Sequence, residues 1–136
     1  MPVETLRRMY MNESILETVK KLIGCPEDQN QFDADLVLHA NAAFSTLNHL
    51  GVGPKDGFRI TGSEETWDAY DIGENELSLV KDYVYMKVRL IFDPPTSGSL
   101  MDNLKEQLRE VEQRLFMMAE VDNEKGEENG IDKRNG

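Results

Sequence analysis

The sequence has a single cysteine, Cys25, among 136 residues. One thiol cannot close an intrachain disulfide, so stability must come from an apolar core, and a reducing compartment is the default. No stretch of about 18 apolar residues exists that could cross a bilayer. The opening "MPVETLRRMY" lacks the apolar run that a secretory signal carries after its basic residues. Bases are scarce too, with 15 Lys and Arg against 26 Asp and Glu and a net charge of −11. Such a chain cannot grip nucleic acid by neutralising phosphates. Its acids keep it soluble, and they suit a wall along which DNA slides without adhering. Only two histidines occur, His39 and His49, on one predicted helix. Their ten-residue separation leaves them about 80° out of line at 100° per residue. With no Cys-x-x-Cys or His-Glu-x-x-His spacing, no metal site is expected. Gly51-Val52-Gly53 is not followed by the Gly-Lys-Ser/Thr of a phosphate loop and reads as a helix end. No cofactor is expected.

What the sequence does have is helical periodicity. A chain of this length fits one domain, and about two-thirds of its unfolded surface can be buried. Four helices are predicted, over approximately 14–23, 33–50, 74–92 and 99–119. The first opens on Ser14 with Glu17 at capping-box spacing, carries Ile15, Val19 and Leu22 on one stripe, and stops at Gly24 before Pro26. The second is capped by Asp33 and buries Leu36, Ala40, Ala43, Phe44, Leu47 and Leu50, with small residues that admit a close neighbour. The third carries Leu77, Val80, Val84, Val88 and Ile91, broadened by Tyr83, Met86 and Leu90. An apolar surface that wide places it at the centre of the bundle. Asp93-Pro94-Pro95 stops it, because proline disfavours helix in the residue before it. Ser99 opens the last helix, whose Leu100, Leu104, Leu108, Val111, Leu115 and Met118 form a heptad-like seam.

Between the second and third helices lies a glycine-rich segment, 51–73. It reads either as a short β-hairpin or as an ordered loop pinned by Phe58, Ile60 and Trp67, and Glu64–Asp68 is poor strand material that favours the loop. Met1–Tyr10 is expected to be a flexible extension. Residues 121–136, "VDNEKGEENGIDKRNG", hold too little apolar surface to offset their ordering entropy and are expected to be disordered in isolation. The fold class is therefore an all-α bundle of about four helices, occupying 11–120, with a polar tail.

Catalysis has one candidate. All-α nucleotide pyrophosphatases hold magnesium with carboxylates on bundle helices, and Glu106, Glu110 and Glu112, with Glu13 and Glu17, are the acids available. Glu106 and Glu110 alternate with Lys105, Arg109 and Arg114, however, which reads better as a solvated, salt-bridged face. A small helical regulator that binds a host protein is a further alternative.

The order of elements carries a resemblance. A short capped helix ending Lys-Lys-Leu-Ile-Gly precedes "DADLVLHANAAFSTLNHLGVGP", then a Trp-containing loop, "VKDYVYMKVRLIFDPP" and "LKEQLREVEQRL". Over about residues 11–119 the chain resembles the small head–tail connector, adaptor or head-completion proteins of tailed bacteriophages, in the form found in phages and prophages of low-GC Gram-positive bacteria. "NHLGVG" and "VRLIFDPP" are the most specific parts. The resemblance implies a non-enzymatic virion protein of the neck, present in the host bacterial cytoplasm during assembly. It implies a twelvefold ring beneath the portal that bridges portal and neck protein and continues the DNA channel. Leu104, Leu108, Val111 and Leu115 on the long helix, and Phe92, Asp93, Pro94 and Pro95 at the joint, are then candidate contact residues. So are Trp67 and Tyr70 in the loop, with the alternative that Trp67 covers the end of the bundle.

Overall fold

The computed structural model describes residues 12–135, with side-chain surroundings through Asp122; the expected extension Met1–Tyr10 lies outside the described residues. Among the described residues four α-helices follow one another: α1 (Ile15–Leu22), α2 (Asp33–His49), α3 (Glu74–Phe92) and α4 (Gly98–Asn135), with one 3-10 turn, Trp67–Tyr70, before α3. Among the described residues there is no strand, only an isolated antiparallel bridge between Ser14 and Thr66. The all-α bundle is as the periodicities require.

Local chemistry sets the ends of these helices. Ser14 accepts from the Glu17 amide at 3.3 Å and opens α1. The same helix closes in a Schellman motif: the Cys25 amide reaches Lys20 O at 2.8 Å, the Gly24 amide reaches Lys21 O at 3.3 Å, and Gly24 takes φ +79°. The close of α2 repeats this, with Val52 N to Leu47 O at 2.9 Å, Gly51 N to Asn48 O at 3.0 Å, and Gly51 at φ +86°. The "HLGV" stretch is thus a helix stop whose last residue, Val52, is driven into the core. Two capping expectations are corrected. Asp33 does not cap α2; it is its first residue, and its carboxylate pairs with Lys20 Nζ at 3.1 Å. At α4 the cap is Ser97 rather than Ser99, since Ser97 Oγ accepts from the Leu100 amide at 3.3 Å.

Helix α3 is central: it packs against α1, α2 and α4. Val80, Tyr83, Val84 and Val88 on it are fully buried. Each such aliphatic side chain contributes about 1.5–3 kcal/mol on leaving water. From α4 come Leu104, Leu108, Leu115 and Ala119, so the heptad-like seam is satisfied within the chain, against α3. Three predicted core positions are corrected. Leu22, Ile91 and Leu100 lie at the edges of their stripes and stay in solvent, 49%, 58% and 56% exposed.

The segment between α2 and α3 is an ordered loop, not a hairpin. Asn41 on α2 clamps the backbone of Ile60 from both sides, donating Nδ2–H to its carbonyl at 2.9 Å and accepting its amide at 2.7 Å. The Glu65 carboxylate gathers the Thr61 amide at 3.0 Å and hydroxyl at 2.7 Å, which holds its pKa below the usual carboxylate value. Phe44, Phe58 and Tyr70 form a ring cluster with centroids 4.9–5.3 Å apart. At Gly53 (φ +88°) an added Cβ would come within 2.5 Å of Tyr70 Oη, so only glycine fits there.

The helical backbone of α4 runs to Asn135, well past the expected end at 119. Ala119 is nevertheless the last buried position among the described side chains.

Candidate functional site

The candidate contact residues divide by depth. Trp67 and Tyr70 are each 1% exposed. The Trp67 indole donates to Thr18 Oγ1 at 3.1 Å, and Lys81 Nζ lies over the indole ring, 5.3 Å from its centroid. Burial pushes the Lys81 pKa down. Tyr70 Oη donates to the Val52 carbonyl at 3.4 Å, and burial, then the nearby Glu76 charge, raises its pKa. Trp67 is thus part of the core rather than of the exposed surface. Leu104, Leu108 and Leu115 are also buried against α3, with Val111 half-buried beside them.

The joint lies in the open. Phe92 is half-buried and meets Phe32 edge-on at 5.2 Å; Asp93 and Pro94 are exposed and Pro95 is half-buried. Phe32, whose importance has no periodic signal, is the residue that sequence reasoning misses. It stands one position before α2, and only the fold brings it to the end of α3.

Two further contacts fix the helices around this surface. Tyr83 Oη on α3 donates to Glu112 Oε1 on α4 at 2.7 Å, and burial, then that carboxylate, raises its pKa. Lys20 is fully buried and reaches Glu27 O at 3.1 Å, Asn30 Oδ1 at 3.3 Å and the Asp33 carboxylate at 3.1 Å. Its three ammonium protons thereby tie down the α1–α2 connection.

The acids considered for catalysis are spread out. Glu106 pairs with Arg109 at 3.0 Å and Glu110 with Arg114 at 3.1 Å, both on the exposed face of α4. Glu112 is engaged by Tyr83, while Glu13 and Glu17 line a different groove, with Lys20, Lys21, Cys25 and Glu27. Among the described residues no group of three or more His, Cys, Asp or Glu side chains could hold a metal ion. His49 is exposed and His39 half-buried. An open groove of about 550 Å³ lies between α2 and the loop, walled by Leu38, Asn41, Phe44, Asn48, Phe58 and Arg59. No described helix is long and apolar enough to cross a membrane.

Trp67, Tyr70 and Phe44 are turned inward, the joint carries two prolines, and the backbone of α4 runs past Ala119, the last buried residue among the described side chains. No curated protein and no solved structure matches the chain. The model of the phage connector proteins matches residues 15–122, from the first residue of α1 to just past Ala119, the last buried residue among the described side chains, and the chain belongs to that family of structural proteins.

Proposed function

We propose that this chain is a head–tail connector subunit of a tailed phage or prophage of a Gram-positive host. It assembles as a ring beneath the portal, twelvefold to match it, bridges portal and neck protein, and continues the DNA channel. The family match over residues 15–122 carries this reading. The charge balance supports it. With 26 acids against 15 bases, a ring of such subunits presents a lumen along which DNA slides without adhering. The surface supports it as well. The joint Phe92, Asp93, Pro94 and Pro95 lies open at one end of the bundle, and α4 extends past Ala119 at the other. Trp67, Tyr70, Leu104, Leu108 and Leu115 act in assembly by holding these surfaces rigid, while half-buried Val111 borders the exposed face of α4. The distal part of α4 is the arm that reaches a partner.

Mixing the purified chain with its portal protein and imaging by electron microscopy tests this. A collar of density added beneath the portal is the expected result. Absence of any portal complex, together with magnesium-dependent nucleotide hydrolysis by the chain, would overturn it in favour of a pyrophosphatase-like enzyme.

A further inference from the structure

We draw no further inference here: the strongest candidate, the exposed apolar patch of Phe32, Ile91 and Phe92 at the joint between α3 and α4, carries nothing because nothing in the structure shows what covers it.

Discussion

The loop between α2 and α3 and the distal part of α4 reverse the usual association of regularity with burial. The loop has no repeating backbone pattern beyond one 3-10 turn, yet it buries Val52, Ile60, Trp67 and Tyr70 and has its backbone bonded by Asn41, Glu65 and the residues before α1. The end of α4 is regular helix, but its side chains from Glu120 to Asp122 are all exposed. Regular hydrogen bonding within a helix adds little in water, because the unfolded chain bonds to solvent instead. Burial is what separates these two regions, and it predicts where a substitution hurts.

The largest loss should come from the loop. Trp67→Ala removes a fully buried indole, its bond to Thr18 and its contacts with Phe44 and Lys81. A cost of about 3–5 kcal/mol is expected, read by urea denaturation followed by far-UV circular dichroism. A cost under about 1 kcal/mol would mean that the loop is draped on the bundle rather than built into it. The α1–α2 connection obeys the same rule through a charge. Lys20→Met leaves the Asp33 carboxylate, Asn30 and the Glu27 carbonyl without their donor, at about 2–3 kcal/mol, because Asp33 is partly in water and recovers some solvation. Retention of full stability in that variant would show the connection to be held by its backbone alone.

Glycines sharpen the comparison inside the loop. Gly53 and Gly57 both take φ +88°, but a Cβ at Gly53 strikes Tyr70 at 2.5 Å, whereas at Gly57 the nearest atom is 3.9 Å away. Gly57→Ala should cost about 1 kcal/mol for conformation alone, and Gly53→Ala roughly 2 kcal/mol more, because Tyr70 must leave its site. Equal costs for the two would remove the Tyr70 contact from the account.

The legible parts of the fold follow the same division. The four helices, the central place of α3, the Gly24 and Gly51 stops and the solvated pairs on α4 can be read from the sequence, since each depends on spacings within a few residues. The loop's clamp cannot, because Asn41 and Ile60 lie 19 residues apart and Trp67 and Thr18 lie 49 apart. Asp33 illustrates the limit. A helix-opening aspartate looks like a cap, and only the burial of Lys20 makes it an ion-pair partner. The outward Phe116, Met117 and Val121 are visible as residues, but their exposure is known only once Leu115 and Ala119 are seen to face the other way.

Smaller effects mark the passage from packed to unpacked helix. Glu76, near the start of α3, and Asp122 border one cleft with Asp71, Leu115 and Ala119. Burial, then the Asp122 charge, raises the Glu76 pKa. A carboxyl whose folded pKa is raised binds its proton more tightly folded than unfolded, so it costs stability at neutral pH and the cost fades as pH falls through its pKa. Glu76→Gln should therefore stabilise the chain at pH 7 by roughly a few tenths of a kcal/mol, with the gain gone near pH 4. A gain that persists at pH 4 would point to a cause other than charge.

The smallest effect on stability should come from the largest deletion. Ending the chain after Ala119 removes helix beyond the last buried residue among the described side chains, including glycines and asparagines that disfavour helix on their own. The denaturation midpoint should move by less than about 0.5 kcal/mol equivalent, since no described core contact is lost. Portal binding should nevertheless weaken, because the deletion takes away Val121 and the arm. A truncated chain that melts early would show that the distal helix packs on its own subunit. One that binds portal with unchanged affinity would remove that helix from assembly and leave the joint at Phe92–Pro95 as the surface to pursue.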